Sequence, residues 1–145
     1  MYRKILLCYD GTAEGRSALR EGADIVVAMN ASAFLLAICR NLVGTSVPEG
    51  VTPELVKCEQ EAAEALLNQG VAWLKERNID AEGALVYGDP LSHIPDTAVR
   101  IGADLIVLGL HRRSRIVRWW TESEEATLLY RVPCSVLVAM SSTEK

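Results

Sequence analysis

Residues 104–109 read DLIVLG, an acidic residue followed by four large aliphatic residues and a glycine. An uninterrupted aliphatic run that ends in a turn residue is typical of a strand buried on both faces of a sheet. Such strands occur mainly in parallel sheets that helices cover on both sides. The stretch therefore predicts an α/β fold, in which helical segments alternate with further strands.

That alternation continues along the whole chain. Four further apolar runs predict strands, at residues 3–9, 32–39, 82–87 and 133–140. Four segments predict helices, at residues 13–29, at 53–77, from Pro90 onward and at 123–131. Pro95 predicts that the third helix begins late or bends. The pattern predicts one doubly wound, five-stranded parallel sheet with helices on both faces over residues 1–140, followed by a frayed tail at 141–145.

The composition limits the classes of partner. The chain has 145 residues, of which 50% are hydrophobic and 23% charged, and its formal net charge is −4. An acidic balance of this kind argues against nucleic acid or an anionic membrane as a partner. The longest apolar runs are too short to span a bilayer, and the amino terminus does not resemble a signal peptide. We therefore expect a cytoplasmic protein with no nucleic-acid or membrane partner.

The cysteines and histidines give no sign of a metal site. Cys8, Cys39 and Cys134 lie in strand-like runs and form no Cys-x-x-Cys pair, which predicts small buried residues in a reducing compartment. Cys58 lies in a helical pattern and is the weak candidate for a reactive thiol. The two histidines have no partner at metal-ligand spacing. We therefore predict no metal.

No catalytic motif follows the predicted strands, where ligands of parallel sheets bind. The dinucleotide fingerprint, the Walker A loop and the G-x-S-x-G elbow are all absent. Asp10 and Asp89 lie near the places where a receiver domain has its acids, but no lysine follows the last strand. The sequence therefore predicts no catalytic residue and no enzymatic activity.

Four stretches together resemble the universal stress protein family over essentially the whole chain. They are ILLCYDGT (5–12), VYGDPLSHI (86–94), GADLIVLG (102–109) and VPCSVLVAM (132–140). The resemblance implies a Rossmann-like sheet in the order 3-2-1-4-5, similar to the adenine nucleotide alpha hydrolases. In that order the winding reverses between the first and fourth strands, so Asp10 would face Gly109 across a crevice.

Many members of that family bind ATP or another adenine nucleotide through a G-x2-G-x9-G-S/T loop after the fourth strand. The family positions fall on Asp10 and Ile38 for the adenine, Gly109, Arg112 and Glu122 for the three glycines, and Ser123 for the hydroxyl. The resemblance is therefore partial, because arginine and glutamate replace two of the three glycines.

These replacements leave two readings open. Glu122 would put a carboxylate at a predicted helix start, where it competes with phosphate, which predicts weak or absent ATP binding. Alternatively, Arg112, Arg113 and Arg115 replace the lost glycine contacts and hold ATP or AMP. The arginines also fit a solvated surface loop. The first reading predicts a non-enzymatic stress protein that acts through protein contacts.

The last predicted strand suggests how the chain associates. In the order 3-2-1-4-5 it lies at an edge, and Val136, Leu137 and Val138 leave it apolar and uncharged. Exposed apolar edges favour pairing with another copy. We therefore expect a homodimer through this strand, which agrees with what the family often does.

Overall fold

The computed structural model describes residues 2–9, 13–39, 53–87, 90–111 and 132–141. Their elements are β1 (Lys4–Tyr9), α1 (Ala13–Met29), β2 (Ser32–Cys39), α2 (Pro53–Glu76), β3 (Ala81–Tyr87), α3 (Pro90–Ile101), β4 (Leu105–His111) and β5 (Ser135–Ser141). The predicted alternation is confirmed across these ranges. The helix predicted at 123–131 lies outside the described residues.

The five strands form one sheet in the order β3-β2-β1-β4-β5, and every pair is parallel. This confirms both the predicted fold class and the strand order implied by the family resemblance. β3 and β5 are the edge strands. β5 runs to Ser141, the first residue of the predicted tail.

The two faces of the sheet pack against different helices. Ile5, Leu7 and Tyr9 of β1 lie in a cluster with residues of α1 and α2. Leu6 and Cys8 lie in a second cluster, with residues of α3. Successive residues of β1 point to opposite faces, and both faces are buried. Burial on both faces explains why the strands appear in the sequence as continuous apolar runs.

Three helices end in the same way at the amino end of the sheet. The residues after them, Asn30, Asn78 and Gly102, have left-handed φ angles of 54°, 63° and 72°. Each end is closed by a backbone hydrogen bond from N–H to C=O: Ala31 to Val26 (3.0 Å), Ile79 to Leu74 (3.1 Å) and Ala103 to Ala98 (2.9 Å). This is the Schellman arrangement, which satisfies carbonyls that the helix leaves unpaired.

The late start that Pro95 predicted for α3 was wrong, and the alternative, a bend at Pro95, stays a prediction. α3 begins at Pro90 and continues through Pro95, so the helix does not start late. Its inner face carries Ile94 and Ala98, which are 4% and 0% exposed, and this burial offsets the hydrogen bond that Pro95 cannot donate.

The cysteines are also less buried than predicted. Cys8 is buried, Cys39 and Cys134 are half-buried, Cys58 is exposed, and none of the four forms a disulfide. Cys39 is the last residue of β2, and Cys134 lies just before β5. Both therefore sit at strand ends, where the sheet is less completely covered. No helix in the described part of the chain has the length and apolar character needed to cross a membrane.

Candidate functional site

The winding of the sheet reverses between β1 and β4. From β1 the chain proceeds to β2 and β3 on one side, whereas β4 and β5 lie on the other side. In open parallel sheets, ligands bind at the carboxyl ends of the strands where the winding reverses. The junction between β1 and β4 is therefore the candidate site, at the place that the family resemblance implied.

The described part of β1 ends two residues short of its two neighbours in the sheet. The last β1–β4 pair is Leu7 with Val107, and β4 then continues to His111 while β1 stops at Tyr9. On the other side Tyr9 pairs with Ala37, and β2 continues two residues further to Cys39. At about 3.3 Å per residue, two residues correspond to a step of roughly 6–7 Å between the described strand ends, and we call this step the recess. β2 and β4 form its walls.

Two predicted site residues lie on opposite walls of this recess. Ile38 is half-buried near the end of β2, and its side chain packs on the face covered by α3. Gly109 is half-buried in β4, beyond the last pair with β1. Because Gly109 has no side chain, the backbone of the β4 wall can be approached closely. The fold therefore brings these two positions to the same end of the sheet, with β1 between them.

The remaining predicted site residues lie outside the described residues. They are Asp10, Arg112, Arg113, Arg115, Glu122 and Ser123. In the sequence, Asp10 directly follows Tyr9, the last residue of the recessed strand, and Arg112 directly follows β4. Their assignment to a nucleotide site stays a prediction.

A second polar group at the carboxyl end of the sheet was missed from the sequence. Cys39 of β2 pairs with Tyr87 of β3, and the main-chain oxygen of Tyr87 accepts a hydrogen bond of 2.8 Å from His93 Nε2. Burial raises the pKa of the Tyr87 phenol, and the nearby Cys39 thiol and Glu64 carboxylate raise this pKa further. All three effects favour the neutral phenol over the phenolate.

This group borders the recess, since Cys39 ends the β2 wall. Cys39 and Tyr87 are the last residues of two predicted strands. The apolar runs do not show, however, that these two strands are neighbours in the sheet. The described residues contain no group of three or more His, Cys, Asp or Glu side chains that could hold a metal ion.

The comparisons with known proteins agree with this architecture. The model of the Universal stress protein family matches residues 1–139, so the chain belongs to that family. A curated relative, Universal stress protein Sll1654 from Synechocystis, is 32% identical over 142 residues, which are 95% of this chain and 85% of that protein.

Solved structures show the same fold. A universal stress protein family member from Burkholderia pseudomallei is 25% identical, with a TM-score of 0.71, and the match covers 94% of this chain and 95% of that one. A family member from Arabidopsis thaliana, solved with AMP bound, is 18% identical with a TM-score of 0.65, and the match covers 97% and 93% of the two chains. Other members were solved in complex with dAMP and with cAMP.

Proposed function

We propose that this protein is a non-enzymatic universal stress protein that acts in the stress response through homodimerisation and protein contacts, with weak or absent ATP binding. The observation that carries this proposal is Glu122, which stands where the family loop has its third glycine. Membership of the family supplies the general class. The proposal is that the fold is kept while the phosphate-binding half of the site is altered.

The physical argument rests on charge. In the family loop, backbone N–H groups near a helix start receive the phosphates. A carboxylate at that position repels a phosphate by roughly 4 kcal/mol at about 4 Å and an effective dielectric near 20. A penalty of that size corresponds to about a thousandfold in affinity, which is enough to move micromolar binding to the millimolar range.

The recess favours a second candidate function. It retains Ile38 and Gly109 on its two walls, and relatives with this fold were solved with AMP, dAMP and cAMP. These ligands carry one phosphate each, so they place less charge near Glu122 than ATP does. In this alternative, Arg112, Arg113 and Arg115 hold the phosphate by charge-assisted hydrogen bonds, and the protein binds ATP or AMP.

Calorimetric titration with Mg-ATP, AMP and cAMP tests both candidates. We expect no micromolar binding of Mg-ATP to the unmodified protein. The double variant Arg112→Gly/Glu122→Gly restores the family loop and should gain at least about 100-fold in ATP affinity, because the repulsion is removed.

The matched control is Arg20→Ala/Glu21→Ala, which removes one charge of each sign from exposed positions of α1. It should leave affinity unchanged. Micromolar binding of Mg-ATP or AMP to the unmodified protein, abolished by Gly109→Trp, would contradict the leading proposal and support the alternative.

A further inference from the structure

Asp104 joins β1 and β4 at the end of their junction opposite the recess. Its carboxylate accepts two hydrogen bonds from the start of β1, one from Arg3 N–H to Oδ2 (2.9 Å) and one from Lys4 N–H to Oδ1 (3.1 Å). Its own backbone N–H donates to the Lys4 carbonyl at 2.9 Å. A single residue thus makes three hydrogen bonds, to Lys4, the first residue of β1, and to Arg3 directly before it.

Among the described residues, this junction has the fewest paired positions in the sheet. β1 and β4 pair over three positions, from Ile5 with Leu105 to Leu7 with Val107. By contrast, β1 pairs with β2 over six positions, and the β2–β3 and β4–β5 junctions each have seven. In the described part of the chain, the two halves of the sheet, β3-β2-β1 and β4-β5, are therefore joined by only three strand pairs.

Among the described residues, no other junction has a side chain that accepts hydrogen bonds from two backbone N–H groups of the neighbouring segment. The β2–β3 junction begins with a backbone bond from Ala33 N–H to the Asp80 carbonyl (2.9 Å). The β1–β2 junction begins with Ser32 N–H to the Arg3 carbonyl (3.0 Å), to which the Ser32 hydroxyl adds a long bond of 3.4 Å. A carboxylate that accepts from two backbone N–H groups makes stronger bonds than these neutral pairs.

We propose that Asp104 is a positioning residue for the recess. By holding the amino ends of β1 and β4 together, its carboxylate fixes the angle between the two strands and hence how far their carboxyl ends diverge. The inference depends on the recess between β1 and β4 and does not require that a nucleotide occupies it. It can therefore fail or succeed independently of the proposed function.

The variant Asp104→Asn tests the proposal in the full chain. Its amide oxygen can accept one of the two hydrogen bonds, but its NH₂ group faces a backbone donor in place of the other acceptor. We expect amide exchange to speed up at least about tenfold in the β1–β4 pairs, while the β2–β3 pairs keep their protection. We also expect amide NMR signals to move at Tyr9, Leu108 and Gly109, although Gly109 lies five residues, or about 16 Å, along the strand from the substitution.

Asp80→Asn is the matched control, since Asp80 is exposed at the amino end of β3 and only its backbone takes part in the hydrogen bonds described. It should leave the signals of the recess unchanged. Asp104→Glu keeps the charge but moves it by one methylene group, so it should shift the same signals by a smaller amount. This second variant decides the question if the asparagine variant does not fold.

Two results would overturn the proposal. In the first, NMR changes stay confined to the neighbours of Arg3, Lys4 and residue 104, which would show a purely local role. In the second, protection falls equally in all strands, which would show that Asp104 contributes only to overall stability.

Discussion

Gly102 shows how backbone conformation, and not space, can decide a residue type. Its φ angle is 72°, and a Cβ built on it would meet nothing within 4 Å. Asn30 and Asn78 have the same left-handed conformation at the ends of α1 and α2. Asparagine tolerates this conformation better than other residues with side chains, whereas glycine adopts it without strain. An asparagine or a glycine, the residues that favour this conformation, therefore stands at all three helix ends in the sequence.

We expect Gly102→Ala to lower the free energy of unfolding by about 1 kcal/mol, because alanine is strained at positive φ. Gly102→Asn should cost less than half as much, since asparagine already occupies the two equivalent positions. Urea unfolding followed by circular dichroism measures both. Equal losses in the two variants would show that strain at positive φ is not the cause.

α2 packs on the sheet through one face of its last turns. Leu74 is 0% exposed in the cluster that joins α1, α2 and the sheet, while its neighbour Lys75 is exposed. Gly70, one turn earlier, allows close approach, because a Cβ there would lie 2.5 Å from Leu35 Cδ2. The last two turns of α2 therefore lie in close contact with the sheet.

Leu74→Ala should destabilise the protein by about 2–5 kcal/mol, since it removes a fully buried side chain and leaves a cavity at a close contact. Lys75→Ala is the control and should change stability by less than about 0.5 kcal/mol. Thermal and chemical unfolding of the two variants give the comparison. A loss below about 1 kcal/mol for Leu74→Ala would mean that α2 can shift to refill the space.

The elements were the part of the structure that the sequence predicted best. β2 was expected at 32–39 and spans Ser32–Cys39, because a strand buried on both faces leaves an uninterrupted apolar run. The order of the strands came from the family resemblance, since runs of equal hydrophobicity do not say which strands are neighbours. The Cys39–Tyr87 pair and the hydrogen bonds of Asp104 to β1 depend on that order. Neither could therefore be predicted from the apolar runs alone.

For the whole molecule, the two edge strands differ in chemistry. β3 carries the exposed Glu82, and a charge on an edge strand discourages pairing with another chain. In β5, Val136 and Leu137 are half-buried against the two clusters, and Val138 is half-buried without charge nearby in the strand. β5 is therefore the edge better suited to meet a second copy, and the homodimer stays a prediction.

Val138→Lys should convert that dimer to monomers, because a charged side chain on the edge opposes close pairing. Val138→Thr keeps the branched shape without a charge and should leave the dimer intact. Light scattering coupled to size-exclusion chromatography measures the mass of each variant. An unchanged mass for Val138→Lys, together with a dimeric parent, would place the contact elsewhere.

Because all strands are parallel, the first strand begins and the last strand ends at opposite ends of the sheet. This arrangement matters for attaching a probe or a fused protein. The chain enters the sheet at the amino end, where β1 starts at Lys4, and leaves at the opposite end, where β5 stops at Ser141. A strand of seven residues spans about 23 Å, so the start of β1 and the end of β5 lie at least roughly that far apart. In a tandem fusion of two copies side by side in the same orientation, the residues between Ser141 of one copy and Lys4 of the next must cross this distance, which takes at least about seven extended residues.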